Sequence, residues 1–247
     1  SDPAPDRWGR NLMGRRERHE AKAEGRAPRT LLEADFLMLV EDQTRLGALR
    51  FRDVGAEGFA AADAHPVPPL VALPRLLGAA RRIVDDRETD EDLRLLLAPG
   101  SSLGGARPKA SVKDAQGELL MAKFPSQHDD WPIPTWESVA MTLAQQAGVS
   151  VPAFQLRQVA RRPVFMMSRF DRMADGGRRP FRSALTALGA ADGEVRSYLE
   201  LVDVLRQDGA DAPGDAAQLW RRIVFNILIS NTDDHLRNHG FLREPGG

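Results

Sequence analysis

The chain contains no cysteine in its 247 residues. This absence excludes a disulfide-stapled scaffold and any zinc site built on thiolates, and it is consistent with a reducing cytosol. No apolar run reaches the roughly 20 residues that a membrane-spanning helix needs, and the polar N-terminus has no signal-peptide core. We therefore expect a cytoplasmic protein with no membrane partner.

An excess of charge of one sign is missing as well. The formal net charge is -1, which gives no overall attraction to nucleic acid or to membranes. Apolar residues make up 42% of the chain, enough for a core in one large domain or two small lobes. The sequence opens at Ser1 without an initiator Met, so we expect a piece of a longer protein.

The N-terminal part of the chain predicts mostly helices. Residues 7–25 are rich in arginine and predict a basic helix on the outside of a lobe, with a phosphate-binding or partner-binding arm as the alternative. Apolar residues at helical spacing predict a helix over 70–84, in which Pro74 lies in the first turn or divides the helix. Thr89 is the predicted N-cap of a short helix that follows.

The middle of the chain changes to strands and turns. Residues 110–112 and 119–124 flank a polar turn, which predicts a β-hairpin. Thr135 is expected to cap an amphipathic helix that ends at Gly148. The apolar run 164–167 predicts a buried strand.

The C-terminal part is predicted to be mostly helical. Apolar residues form one amphipathic face over 198–205 and another over 219–228, and Asp215 is the expected cap of the second helix. A mixed α/β part therefore precedes a helical part.

A glycine-rich turn over 101–109 is the first feature that could carry chemistry. Gly104 and Gly105 let backbone N–H groups approach an anion without a Cβ in the way, and successive N–H groups form an anion nest. Arg107 and Lys109 add positive charge. The turn is neither a Walker loop nor a Gly-x-Gly-x-x-Gly loop, so an ordinary turn remains the alternative.

Lys123 is the second feature, because a lysine among apolar strand residues is costly to bury without a partner. It either points to solvent or is held by a carboxylate, and Glu137 on the next predicted helix could supply that carboxylate. Kinases use this arrangement to hold nucleotide phosphates. The alternative role for Glu137 is to complement the dipole of its helix from the first turn.

The third feature is Asp233 followed by Asn238. Protein kinase catalytic loops use this Asp-x-x-x-x-Asn spacing, in which Asp accepts the proton of the attacking hydroxyl and Asn supplies an oxygen to Mg²⁺. A metal cluster that includes His235, or a polar surface loop after a helix cap at Asn231, are the alternatives. The order of glycine-rich turn, strand Lys, helix Glu, apolar strand and Asp-x-x-x-x-Asn is that of a protein kinase-like fold.

The chain resembles the HipA-type serine/threonine kinases, which are toxins of bacterial toxin–antitoxin modules. The resemblance is collinear over about residues 5–247 and is carried by the segments 102–112, 122–126, 136–137, 168–172 and 231–242. It implies an α+β, two-lobed protein kinase-like fold, with a mixed α/β N-lobe that holds a small antiparallel sheet and a mostly helical C-lobe. The fold is expected to be incomplete at both ends. We expect an N-terminal remnant over 1–98, a nucleotide-binding lobe over 99–172 and the start of the helical lobe over 173–247.

The resemblance also implies ATP and Mg²⁺ as cofactors and a role for each matching residue. Asp233 would be the catalytic base, Asn238 the Mg²⁺ ligand, and Lys123, paired with Glu137, the contact to ATP phosphates. The remaining expected cofactor-binding residues are Ser102, Gly104, Gly105, Ala106 and Lys109 in the phosphate-binding loop, Ser168 and Phe170 in the adenine-binding hinge, and His235. Family members silence themselves by phosphorylating a serine of that loop, which Ser102 matches best, with Ser101 adjacent.

Partners follow from the same resemblance. We expect a HipB-like helix-turn-helix antitoxin, contact with DNA only through that antitoxin, and a protein substrate such as an aminoacyl-tRNA synthetase. The family pattern continues past the Gly-Phe-Leu segment to a second Asp that binds Mg²⁺, and its N-terminal β-rich subdomain is mostly absent here. We therefore expect this chain to be a weak or inactive kinase. The alternatives are a non-catalytic ATP-binding pseudokinase or corepressor module, and a small-molecule phosphotransferase.

Overall fold

The computed structural model describes residues 2–62, 66–100, 105–173 and 175–244, and the side chains of 98–100 are outside that description. The described helices are α1 (Arg7–Ala23), α2 (Glu33–Leu39), α3 (Leu73–Val84), α4 (Asp90–Gly100), α5 (Ile133–Gln146), α6 (Ala184–Ala187), α7 (Tyr198–Asp208) and α8 (Ala212–Leu228), with a 3₁₀ turn at Leu70–Ala72. The described strands are β1 (Lys109–Lys113), β2 (Leu119–Lys123), β3 (Phe154–Val159), β4 (Arg162–Ser168), β5 (Phe181–Ser183) and β6 (Gly240–Leu242).

The strands form two antiparallel sheets. The larger sheet has the order β1-β2-β4-β3, and the smaller one pairs β5 with β6. The predicted hairpin is β1–β2, with Lys109 opposite Lys123, and the predicted buried strand is β4. The α+β class and the small antiparallel sheet are thus confirmed.

A first hydrophobic cluster joins α1, α3 and α4 to the larger sheet. The basic helix is confirmed as α1, but it does not merely lie on the outside. Its Trp8, Leu12 and Met13 side chains are buried, while Arg7 and Arg18 are exposed. Residues on both sides of position 98 therefore share one core.

Two predicted helix N-caps are wrong, and a third is confirmed. Pro132, not Thr135, precedes α5, since Pro134 fits the first turn and lets the helix begin earlier. Asp211, not Asp215, caps α8, where its carboxylate accepts a hydrogen bond from the Gly214 N–H at 3.2 Å. Thr89 accepts a bond from the N–H of the third residue after it, as an N-cap does.

A second, smaller cluster lies between α6, α7 and α8 and contains Ala184, Leu201, Leu205 and Leu219. The predicted apolar faces of α7 and α8 are only partly buried. Four of their large apolar residues have exposed fractions between 66% and 78%, namely Leu199, Trp220, Ile227 and Leu228. Among the helices described, none has the length and apolar character needed to cross a membrane.

Candidate functional site

Lys123, the last residue of β2, forms an ion pair with Glu137 of α5. Lys123 lies opposite Phe165 in β4, and its ammonium group is 5.7 Å from the centre of that ring. Both charged side chains are about a quarter exposed, so the pair is neither buried nor fully solvated. Because α5 begins at Ile133, Glu137 lies beyond its first turn, contrary to the prediction, and is less suited to complement the helix dipole.

The glycine-rich turn is only partly described. Ser101, Ser102 and Gly104 lie outside the described residues, while Gly105 and Ala106 are exposed. Gly105 has φ +94°, a left-handed conformation that favours glycine. Arg107 forms an ion pair with Asp129, so the positive charge of Arg107 beside the turn is partly neutralised.

Lys109 is buried at the base of this turn and is bound to α1. Its ammonium group donates to Asp6 Oδ2 at 3.0 Å and to the Gly105 carbonyl at 2.9 Å, and only 2% of its side chain is exposed. Trp8 Nε1 donates to the Lys109 carbonyl at 3.0 Å. Burial lowers the pKa of Lys109 and raises that of Asp6, although each charge partly offsets the effect on the other. A phosphate contact by Lys109 would require these bonds to open.

The expected adenine hinge follows β4. The Ser168 N–H donates to the Ala153 carbonyl at 2.8 Å, and the Arg169 N–H donates to the Leu119 carbonyl at 3.1 Å. Phe170 packs its ring against that of Phe181, with 5.6 Å between centroids. A nucleotide base that used the first two N–H groups would therefore compete with bonds inside the fold.

The Arg-Phe-Asp-Arg segment, residues 169–172, binds a distant part of the backbone through a buried aspartate, and we call it the clamp. Asp171 is fully buried and accepts two hydrogen bonds of 2.7 Å from Arg169, one of 2.7 Å from Arg172 and one of 2.7 Å from the Gly47 N–H. Burial acts to raise the pKa of Asp171, but these cationic donors outweigh it and hold the pKa below its ordinary value. Arg169 also donates to the Thr44 carbonyl, so the clamp fixes the irregular segment around 41–50 to the end of β4.

The Asp-x-x-x-x-Asn segment lies in a loop after α8. Ile229, not Asn231, is the C-cap of that helix, and Ser230 follows in a left-handed conformation with φ 56°. Asn231 then donates its N–H to the Asn226 carbonyl at 2.9 Å. The helix thus ends in a tight turn from which the loop departs.

Asp233 and Asn238 are brought together in this loop. Asn238 Nδ2 donates to the Asp233 carbonyl at 2.5 Å, and the Asn238 N–H donates to the His235 carbonyl at 2.8 Å. The Asp233 carboxylate is 86% exposed and lies 3.7 Å from His235 Nε2. This arrangement leaves one carboxylate open to a reacting group.

The donor set suits a hard cation only in part. Because Asn238 Nδ2 is used by the loop, its Oδ1 is the atom that Asn238 can offer, and amide oxygens are ligands that Mg²⁺ accepts. Over the described ranges, no group of three His, Asp or Glu side chains could hold a metal ion. Asn238 Oδ1 would therefore suit Mg²⁺ that takes most of its ligands from water and phosphate, and the described residues contain no zinc cluster.

The side chain of Asp234, the neighbour of Asp233, points into the fold and is only 11% exposed. Its carboxylate accepts hydrogen bonds from the Tyr198 hydroxyl, from Asn226 Nδ2 at 2.9 Å and from His239 Nε2 at 2.6 Å. Burial acts to raise the pKa of Asp234, but the Tyr198 and Asn226 hydrogen bonds and the nearby His239 hold it below its ordinary value.

The Lys123 and Asp233 regions are linked through the fold rather than by direct contact. In the part of the chain that the structure describes, no hydrogen bond or ion pair joins the two side chains. Gln218 Nε2 of α8 donates to the Gly148 carbonyl at 3.2 Å, and Arg222 donates to the Ser150 carbonyl at 2.7 Å. These bonds attach α8 to the segment between α5, the helix that carries Glu137, and β3.

Sequence reasoning missed Asp6 and Asp234. The pair of adjacent aspartates and the single tyrosine of the chain were the available signals for Asp234. No local signal marks the contact between Asp6 and Lys109, because the two residues lie 103 positions apart.

The fold and the site together define an α+β protein with a strand lysine paired to a helix glutamate and a loop that exposes an aspartate beside an asparagine. The sequence model of the HipA-like C-terminal domain matches residues 101–247. This match covers more than half of the chain, and the chain belongs to that family.

Relatives agree with this assignment. A Haemophilus influenzae protein named "Putative kinase" is 24% identical over 168 residues, which cover 58% of this chain and 48% of the relative. A Sinorhizobium fredii protein named "Putative kinase Y4mE" is 25% identical over 217 residues, which cover 75% of this chain and 49% of the relative. The chain therefore spans about half the length of these curated relatives.

A solved structure has a similar fold. The HipA toxin of Shewanella oneidensis, solved with HipB and its operator DNA, superposes with a TM-score of 0.63 at 19% identity. The similarity covers 96% of this chain and 62% of that one, and at this identity it shows the fold alone.

Proposed function

We propose that this chain provides the nucleotide-binding and catalytic-loop part of an ATP- and Mg²⁺-dependent serine/threonine kinase of the HipA type. The observation that carries the proposal is the Lys123–Glu137 ion pair. A kinase needs a strand lysine steered by a carboxylate on the following helix, and the sequence predicts the pairing that Lys123 and Glu137 make. In this proposal the two hydrophobic clusters belong to the two lobes of a kinase-like fold.

The chemistry assigned to this chain's residues is proton transfer and positioning. The hydroxyl oxygen of a serine or threonine attacks the γ-phosphorus of ATP, the bond to the bridging oxygen breaks, and ADP leaves. Asp233 accepts the hydroxyl proton, because its carboxylate is open to solvent while that of Asp234 is already occupied. Lys123 holds phosphate oxygens, and Asn238 Oδ1 is the protein's oxygen for Mg²⁺, which would neutralise phosphate charge.

Further parts of the proposal come from the family. We propose that the exposed glycine-rich turn binds phosphate and that Ser102, or its neighbour Ser101, is the site of self-silencing phosphorylation. A helix-turn-helix antitoxin is the proposed partner, as HipB is for the HipA toxin in the solved complex. The protein would act in the cytoplasm, and an aminoacyl-tRNA synthetase is the proposed class of substrate.

The test uses the full-length protein with ATP and Mg²⁺, and it measures nucleotide affinity and phosphate incorporation separately. Lys123→Met should weaken ATP binding by roughly 10-fold or more, since it removes a charged hydrogen bond to phosphate. Asp233→Asn should leave affinity nearly unchanged and lower transfer by about 100-fold or more, because it removes the general base. Mass spectrometry of the peptide that contains Ser101 and Ser102 reads the transfer.

Matched controls are available in the chain. Lys113→Met changes a lysine at the far end of β1, and Asp203→Asn changes a solvent-exposed aspartate of α7. Both should leave ATP affinity and transfer unchanged. ATP binding without any transfer by the folded, initially unphosphorylated wild type would favour the non-catalytic binding module, and transfer only to a small molecule would favour the phosphotransferase.

A further inference from the structure

The carboxylate of Asp234 connects the loop between α8 and β6 to the helices beneath it. It accepts hydrogen bonds from Tyr198 at the start of α7, from Asn226 near the end of α8 and from His239 just before β6. The Tyr198 and His239 rings also meet edge to face, with 5.7 Å between centroids. The Asp234 side chain therefore links the start of α7, the end of α8 and the residue before β6.

The backbone of the same loop is fixed at two further points. The Leu185 N–H donates to the Leu236 carbonyl at 3.2 Å, and the Ala184 N–H donates to the His239 carbonyl at 2.9 Å. Leu236 also packs against the second hydrophobic cluster. The loop thus has a packed side that faces the helices and an open side that carries Asp233.

The position of Asp233 depends on this anchoring. Asp234 is 11% exposed in its side chain, whereas Asp233 is 86% exposed, so the inward orientation of one carboxylate accompanies the outward orientation of the next. Asn238 donates to the Asp233 carbonyl, and its amide is therefore placed by the same stretch of backbone. A shift of Asp234 would move both residues that the proposed mechanism uses.

We propose that Asp234 is a positioning residue for phosphoryl transfer, which acts by holding Asp233 and Asn238 in place and touches neither substrate nor metal. This inference rests on the proposed function. Tyr198 and Asn226 donate to one oxygen of the Asp234 carboxylate, and His239 donates to the other oxygen in the tautomer that carries its proton on Nε2. With that tautomer, an amide at position 234 turns its N–H₂ group toward either the His239 Nε2–H or the Asn226 amide, and that contact is broken.

The decisive variant is Asp234→Asn, which keeps the shape of the side chain and removes the second acceptor oxygen. We expect the turnover number for phosphate transfer to fall by about 10- to 100-fold, since a displacement of about 1 Å can have that effect. ATP affinity should stay within about 2-fold, because the Lys123–Glu137 pair is on other elements. Hydrogen exchange should accelerate for the amides of 231–239 and stay unchanged in β1, β2 and α5.

His239 offers a graded test of the same network. His239→Gln keeps an N–H donor and should retain most of the turnover. His239→Leu removes the donor, and its turnover number should fall by about as much as in Asp234→Asn. Asp203→Asn, on the exposed side of α7, is the matched control for the loss of a carboxylate. An effect of equal size in His239→Gln and His239→Leu would contradict the role of the hydrogen bond.

The outcomes separate this inference from the proposed function. An active wild type with unchanged turnover or unchanged loop exchange in Asp234→Asn overturns the positioning role. A uniform increase in exchange over the whole chain, with turnover and ATP affinity lost together, also overturns it, because Asp234 would then be a general stability residue. A folded wild type that binds ATP but transfers no phosphate overturns the proposed function and with it the catalytic part of this inference, even if the loop is released.

Discussion

Lys109 Nζ and Asp6 Oδ2 lie 3.0 Å apart, although 103 residues of sequence separate them. Asp6 is also the N-cap of α1, where it accepts a hydrogen bond from the Gly9 N–H at 2.9 Å. The N-terminus of α1 is thereby attached to the base of the glycine-rich turn. The lysine that the sequence assigns to phosphate binding therefore also bonds to a carboxylate inside the fold.

Asp6→Asn and Lys109→Met should each destabilise the fold, because either change leaves a buried charge without its partner. We expect a loss of roughly 2–4 kcal/mol in the free energy of unfolding for each variant. The loss of unfolding free energy in the double variant should be smaller than the sum of the two single losses by at least about 1 kcal/mol, since the two residues act as one unit. Urea unfolding at neutral pH measures all four forms, with Lys113→Met as the control on the same strand.

ATP affinity of the same variants decides between the two roles of Lys109. An internal contact predicts that Asp6→Asn and Lys109→Met change affinity by similar, small factors. A much larger loss in Lys109→Met alone would show that the lysine leaves Asp6 and contacts phosphate.

Local patterns accounted for the elements that sequence reasoning predicted correctly. The β1–β2 hairpin follows from two short apolar runs around a polar turn, and the Lys123–Glu137 pair joins a strand to the next helix. Both features are set by residues close in sequence, where periodicity and turn chemistry decide the outcome.

The features that the sequence did not predict depend on partners far away in the chain or on the exact residue at which a helix begins. The Asp6 contact to Lys109 spans almost the whole N-terminal half, and Asp171 binds Gly47 across 124 residues. The caps of α5 and α8 were placed too far along the chain because a proline in each first turn allows an earlier start. Asp233 and Asp234 carry the same side chain. The spacing to Asn238 singles out Asp233 in the sequence, but the hydrogen bonds of Asp234 to Tyr198, Asn226 and His239 emerge only in the fold.

Asp171→Asn should be strongly destabilising, because it removes the charge that three cationic or polar donors share in a fully buried site. We expect the free energy of unfolding to fall by about 3–5 kcal/mol, the range for breaking one side of a buried ion pair. Hydrogen exchange should rise first in the segment around 41–50, which Arg169 and Gly47 attach to the clamp. A loss below about 1 kcal/mol, no larger than in the Asp203→Asn control, would contradict the clamp.

Asp92 should contribute to the acid dependence of stability. The Arg82 hydrogen bonds lower its pKa from 3.8 to about 2, against the opposing effect of burial, and Thr89 assists. Because the folded pKa lies below the unfolded one, the stabilisation is present above pH 3.8 and is lost as pH falls toward 2. The stability difference between wild type and Asp92→Asn should therefore be constant from pH 7 to 5 and shrink by pH 3, as measured by urea unfolding at each pH. A difference that does not change over this range would count against the assignment.

Tyr198 is the only tyrosine in the chain, so its ionisation can be followed without ambiguity. Its hydrogen bond to the Asp234 carboxylate raises its pKa from 10.0 to about 12, because the neutral phenol is the donor. With the folded pKa above the unfolded one, this contact stabilises the fold fully below pH 10 and ceases to do so as pH rises toward 12. In Asp234→Asn the tyrosinate absorbance should appear at lower pH than in the wild type. Circular dichroism of the same samples serves as the control, since alkaline unfolding would release Tyr198 in both proteins. Equal titration of the two folded proteins would show that Tyr198 does not donate to Asp234.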